Sequence, residues 1–261
     1  MTKNTLLSAA LCCLISAISM SASAESLLDS IKSRNLVRIA VPQDYAPYGF
    51  VSPDMTPQGL DIDVAKLIGK QLGVRVQLIP VTGPNRVPYL QTGKADMTIS
   101  SLGKTQERAK VIDFSIAYAP FFDAVFGPKD LQASTPDELA GKTVSVTRGS
   151  MQDDELTKLA PKAIIRRFED NNSTITAFAS GQTQMAAIGT TVAAAIQKQN
   201  PKLDITLKVI LSNSPCYIGI QKGQQALTAK VNDIIREAKK DGTLDKISEK
   251  WLSAPAGDLP E

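Results

Sequence analysis

The chain has 261 residues, with 29 Lys and Arg against 26 Asp and Glu, for a formal net charge of +3. So close a balance, with no basic run and no low-complexity stretch, gives no footing for a nucleic-acid-binding surface. The absence of histidine removes the commonest general base and metal ligand.

Residues 1–24 predict a cleavable secretory leader: Lys3, an apolar run over 5–20, and the small residues Ala22-Ser23-Ala24 before the cut. The run, about sixteen residues, is shorter than the roughly 20 that a membrane-spanning helix needs. Leu11 directly before Cys12 departs from the small-residue pattern that precedes a lipidated cysteine. A periplasmic chain starting at Glu25 is therefore expected, long enough for an ordinary core without disulfides. Its one thiol, Cys216 beside Tyr217 and Ile218, reads as buried and inert.

Leu27, Leu28 and Ile31 mark one face of an opening helix that stops at Asn35, and Val37, Ile39 and Val41 alternate as a strand. Ile62, Ala65, Ile68 and Leu72 follow helical spacing up to Gly73, before Val74, Val76 and Leu78 return to a period of two. A helix over 85–92 ending at Gly93 and a strand over 96–100 complete a βαβ pattern with a parallel sheet. A second set starts at Thr135-Pro136-Asp137-Glu138, read as a strong helix start with a capping box. It continues through strand 143–147, a helix from Ser150, strand 163–168, helix 173–180, strand 184–188 and helix 191–199. Gly93 and Met97 in the first set are echoed by Gly181 and Met185 in the second, which points to two similar lobes. Strand 217–221, a long amphipathic helix through Leu227, Val231, Ile234, Ile235 and Ala238 to Gly242, and a helix over 243–252 close the chain.

Two segments carry the functional reading. Gly59, Asp61 and Asp63 open an amphipathic helix, and Ser100-Ser101-Leu102-Gly103-Lys104-Thr105-Gln106-Glu107-Arg108 precedes Asp113-Phe114-Ser115. The first resembles the signature of periplasmic solute-binding proteins that feed polar amino acids to ABC importers; the second resembles that family's carboxylate-binding turn. The resemblance runs from about Leu27 to Leu252. It implies an α/β, bilobed periplasmic-binding-protein fold of type II, two α/β lobes joined by two hinge crossings near Tyr118–Asp123 and Cys216–Gln221. The first lobe would comprise 25–120 and 217–261, and the second 121–216, with the ligand in the cleft between them.

The resemblance also implies roles. Arg108 would grip a ligand's α-carboxylate through its planar fork, helped by Ser101 and the turn to Thr105 at a helix N-terminus, with Thr105 itself an N-cap. Ser150, in Arg148-Gly149-Ser150, would complete the site from the other lobe, while Arg148 faces solvent. Asn85-Arg86-Val87-Pro88 is similar to a segment of the glutamate/aspartate-binding branch whose arginine reaches the ligand's side-chain carboxylate. Tyr45 would form a wall of the cleft and Phe50 belong to the core.

Three glycines depart from the family pattern. Gly83 stands where basic-amino-acid binders often place an aromatic platform, Gly103 where a hydroxyl assists the carboxylate, and Gly189 where an acid normally pairs with the α-ammonium. Hydroxyls of Thr190 and Thr191 compensate a buried ammonium poorly. The resemblance then implies an acidic or atypical amino acid, or a carboxylic acid without an ammonium, as ligand. The expected protein is a monomeric binder that needs neither cofactor nor metal and delivers its ligand to an inner-membrane ABC permease. The rivals are a periplasmic dehydratase-like enzyme, which would need a general acid where Gly189 stands, and a soluble ligand sensor for a membrane receptor.

Overall fold

The structure is a computed structural model that describes residues 26–261. The proposed leader lies outside the described residues. Two five-stranded sheets dominate, and they share one plan. In the first, Arg75–Pro80, Leu36–Val41 and Met97–Thr98 lie parallel, followed by Cys216–Gln221 and Ile112–Ala119, both added antiparallel. In the second, Ile164–Phe168, Thr143–Thr147 and Met185–Gly189 lie parallel, followed by Phe122–Gly127 and Thr206–Asn213. In each sheet the fourth strand is the one that has just crossed in, and the edge strand beside it is the one about to leave. The chain crosses between Ala119 and Phe122 and returns between Asn213 and Cys216, so two short segments join two α/β lobes. Cys216 already belongs to the first sheet.

The echo between the lobes has a structural basis. Gly93 (φ +68°) and Gly181 (φ +75°) each end a helix in the left-handed conformation, donating to Leu90 O and Phe178 O, and Met97 and Met185 each begin the third parallel strand. The helices pack apolar stripes on the sheets. Leu227, Val231, Ile234, Ile235 and Ala238 of Gln225–Lys240 are buried, and Thr243–Leu252 follows within the bounds expected.

The signature opening Leu60–Leu72 proves to be scaffolding. Gly59 has φ +130° and ψ 174°, a region essentially closed to L-residues, and a Cβ there would fall against the Tyr48 carbonyl. Asp61, fully buried, accepts from Tyr118 Oη (2.7 Å) and Ser101 N–H (2.8 Å). Asp63 accepts from Trp251 Nε1 (2.8 Å) and Lys250 Nζ (2.7 Å), tying this helix to the C-terminal one. Gly59→Ala is expected to lower unfolding stability by roughly 2 kcal/mol or more. Urea denaturation checks this, and a variant with an unchanged midpoint would contradict it.

Several elements differ from the reading of the sequence. Thr135-Pro136 starts only one 3-10 turn, Pro136–Leu139. Glu138 accepts from the N–H groups of Ser134 and Thr135, but Gly141, at φ +73°, ends the turn at once. The cap fixed where a turn begins and carried no information about its length. The strands at 112–119, 122–127 and 206–213 have no counterpart in the alternation pattern. Ser115–Ala119 and Asp123–Gly127 are buried on both faces, leaving no polar face to alternate. Thr206–Asn213 is an edge strand with two register shifts. A small sheet of Asp44–Tyr45, Gly49–Val51 and Pro57–Gln58 also forms after the first strand.

Candidate functional site

The lobes meet face to face with a small cavity between them, lined by residues of both, including Tyr45, Arg86, Ser101, Asp123, Ser150 and Met151. The room swept by the centre of a water-sized sphere is ≈ 20 Å³, space for about one water. A ligand larger than that needs the lobes to part.

Lobe contacts draw on several bonds across the cleft. The N–H and Nδ2 of Asn171 donate to the Asp44 carboxylate at 2.8 and 2.9 Å, so an acid of the first lobe sits at the N-terminal end of the helix Asn171–Ala179. Gly189 N–H donates to Tyr45 Oη at 3.1 Å. Tyr45, Tyr48 and Phe121 form an aromatic cluster at the crossing, with centroids 5.1–6.3 Å apart. Burial raises the pKa of the Tyr45 hydroxyl, so it stays protonated. Gly83 allows this close approach: a Cβ there would lie 2.9 Å from Thr147 Cγ2 and 3.3 Å from Arg86 Nη2.

Arg86 begins the short helix Arg86–Gln91 and points into the cavity, only 9% exposed. Its Nε donates to Gly83 O (3.2 Å) and Nη1 to Ser100 O (3.0 Å). No acid forms an ion pair with it among the described residues. Burial lowers its pKa, yet a guanidinium stays charged. Ser101 is held at φ +39° by the Asp61 bond to its N–H, which fixes the turn against the cavity. Ser150 caps the helix Met151–Leu159 by accepting from Asp153 N–H at 3.2 Å.

The structure places three of the expected site residues outside the cavity wall. Arg108 bridges the lobes: Nη1 donates to Gly103 O and Nη2 to Gly149 O, both at 2.8 Å, with Asp154 at 3.8 Å. It lines a neighbouring recess, and burial together with nearby Arg86 lowers its pKa to about 10. Gly103 receives the Met151 side chain, since a Cβ there would stand 2.5 Å from Met151 Cγ and 2.5 Å from Ser214 Oγ. At Gly189 the Phe121 ring fills the place of a side chain, 2.5 Å from where a Cβ would be. Thr191 gives its hydroxyl to Tyr48 Oη. Thr105 is an N-cap, Arg148 pairs with Glu169 in solvent, Phe50 packs edge-on to Trp251, and Cys216 is buried.

Asp123 belongs to the site and has no counterpart in the motif reading. It begins the buried part of Phe122–Gly127, is 0% exposed, and lines the cavity. The sequence signal was there: it is the only charged residue between Tyr118 and Gly127. Burial pushes its carboxyl up to about 7, against the hydroxyls of Ser212 and Ser214 and the charge of Arg108. Among the described residues no group of three or more Cys, Asp or Glu is placed to hold a metal ion, and no helix is long and apolar enough to cross a membrane.

The family model for bacterial extracellular solute-binding proteins, family 3, matches residues 37–254. The chain is 28% identical over 235 residues to the ABC transporter glutamine-binding protein GlnH of Bacillus subtilis (strain 168), covering 88% of this chain and 86% of that one. It is 28% identical over 233 residues to the L-cystine-binding protein TcyJ of Escherichia coli (strain K12), with coverage of 88% and 87%. Among solved structures, the ancestral amino acid-binding protein AncCDT-1, a precursor of cyclohexadienyl dehydratase, superposes with a TM-score of 0.81 at 33% identity, covering 87% of this chain and all of that one.

Proposed function

Since the chain belongs to the bacterial extracellular solute-binding proteins, family 3, we propose that it is the substrate-binding component of an ABC importer and captures a small carboxylate-bearing solute. The solute is an acidic or otherwise atypical amino acid. The protein is exported by the leader 1–24, works in the periplasm as a monomer, and hands its ligand to a membrane permease. Its lobes comprise 25–120 with 216–261, and 121–215, because Cys216 begins the returning strand of the first sheet. It binds and does not transform its ligand.

One observation carries this reading: a buried arginine, Arg86, faces the interlobe cavity and forms no ion pair among the described residues. Arg108, paired with Asp154 at 3.8 Å, lies close by, and burial holds Asp123, the acid of the cavity, partly protonated near pH 7, so the cleft favours a ligand with more carboxylates than ammonium groups. Ser101 and Ser150 present polar groups from the two lobes to the same space, so each lobe holds part of the site and closure completes it.

The test is a thermal-shift and calorimetric panel of amino acids, dicarboxylates and prephenate-type cyclohexadienyl acids. A ligand at 100 times its dissociation constant stabilises by about 2.7 kcal/mol. The acidic members are expected to bind, and lysine and arginine to bind poorly. Tight binding of a basic amino acid alone would overturn the ligand class, and turnover of a cyclohexadienyl acid would overturn the binding role.

A further inference from the structure

We propose that Asp123 is the cation-binding residue of the cleft: its carboxylate takes the ammonium of an α-amino acid whose carboxylate lies on Arg86. The inference deepens the carboxylate-receptor reading above and rests on it.

Asp123 is fully buried and lines the cavity. Ser212 Oγ donates to its Oδ2 at 3.1 Å, and the Ser214 hydroxyl lies near the carboxyl, while Oδ1 is buried with no partner in hydrogen-bond geometry among the described residues. Folded proteins leave few buried polar atoms so, and this one, unlike Thr183 Oγ1 and Ser248 Oγ, belongs to a residue that lines the interlobe cavity, where a donor can reach it. Ladders fix the strand on both sides: Asp123 pairs with Gly189 on one and Ser212 on the other, so the side chain cannot swing to water. Arg86 lines the same cavity with the opposite charge and, among the described residues, forms no ion pair either; the two do not pair with each other. Opposite charges held apart across one small cavity match a molecule that carries both. A zwitterion supplies the carboxylate Arg86 lacks and the N–H donors Oδ1 lacks. A deaminated acid supplies the first and leaves Oδ1 orphaned.

The surroundings set a pH dependence. Arg108 and the hydroxyls of Ser212 and Ser214 favour the ionised carboxyl, Glu155 and burial oppose it, and Tyr45 and Cys216 face it as neutral groups. With burial prevailing, the empty cleft holds Asp123 partly protonated near pH 7. An ammonium binds only the ionised form, so affinity rises with pH through that range.

The experiment measures binding of L-glutamate and L-aspartate against glutarate and succinate, which keep both carboxylates without the ammonium, and includes L-lysine and L-arginine. Calorimetry on the wild type and on Asp123→Asn, whose fold is checked by its melting curve, is expected to show the amino acids at least about 100-fold tighter than the deaminated acids in the wild type. In the variant that preference should vanish. On the wild type alone, amino-acid affinity should be about tenfold weaker near pH 6 than near pH 8, with no such change for glutarate. Equal binding of amino and deaminated acids by the wild type, or an unchanged preference in Asp123→Asn, would overturn the role of Asp123 and leave the carboxylate reading standing. Binding of a basic amino acid that Asp123→Asn loses would keep Asp123 and overturn the acidic ligand class. No binding by any of the six would overturn both.

Discussion

Replacing Arg86 with methionine is expected to weaken ligand capture by at least about 100-fold and to leave the empty protein no less stable. The guanidinium spends Nε and Nη1 on the carbonyls of Gly83 and Ser100, which leaves Nη2 without a hydrogen bond among the described residues in a side chain that lines the cavity. A charge-assisted bond contributes roughly 1.5–3 kcal/mol, and removing one partner of a buried charged pair costs roughly 3–5 kcal/mol, so 100-fold is the lower end. Without ligand the balance reverses, because burial of a cation that forms no ion pair among the described residues is itself unfavourable and methionine fills similar space. Arg108→Ala serves as the contrast. Its guanidinium bonds Gly103 O in one lobe and Gly149 O in the other, so its loss should loosen closure and cost about tenfold in affinity. Calorimetry and melting curves on both variants decide the matter. Near-normal affinity in Arg86→Met with abolished binding in Arg108→Ala would return the ligand's carboxylate to Arg108.

What the sequence disclosed and what it hid follow from the range of the interactions involved. Helix periodicity and caps act within a few residues, so Gln225–Lys240 and Thr243–Leu252 were legible from their own side chains. Gly59, Asp61 and Asp63 were conspicuous, but their partners, Ser101, Tyr118 and Trp251, are far along the chain. The motif could therefore be seen without revealing that it holds the cavity turn and the C-terminal helix in place. The strands at the crossing carry no alternation because both their faces are covered. Asp123 is inconspicuous for a related reason. Its significance depends on Phe121, Ser214 and Arg86 meeting it at one cavity, and no spacing along the chain encodes that. Fold plan and the residues facing the cleft at Tyr45, Arg86, Ser101 and Ser150 were thus accessible, while the charge balance of the cleft required the register of the second sheet.

That register makes Gly189→Asp the sharpest test of how this cleft differs from one with an acid at that position. The substitution should destabilise the protein by roughly 3–5 kcal/mol and abolish binding, for two independent reasons. First, a Cβ at Gly189 would sit 2.5 Å from Phe121 Cζ and 3.0 Å from two further ring atoms. The ring is held in the cluster with Tyr45 and Tyr48, so overpacking there strains the crossing between the lobes. Second, Gly189 stands directly opposite Asp123 in the ladder, and side chains of such pairs lie about 5 Å apart on one face. A second carboxylate there would meet a first that already has an unbonded oxygen, and two like charges in a buried site cannot both ionise without severe cost. The double variant Gly189→Asp, Phe121→Ala removes the steric part alone and is expected to recover some stability but not binding. Thermal melts and calorimetry on the single and double variants separate the two causes. A stable Gly189→Asp protein with improved affinity for α-amino acids would mean that Phe121 yields freely and that Asp123 does not already occupy the role of the cleft's acid.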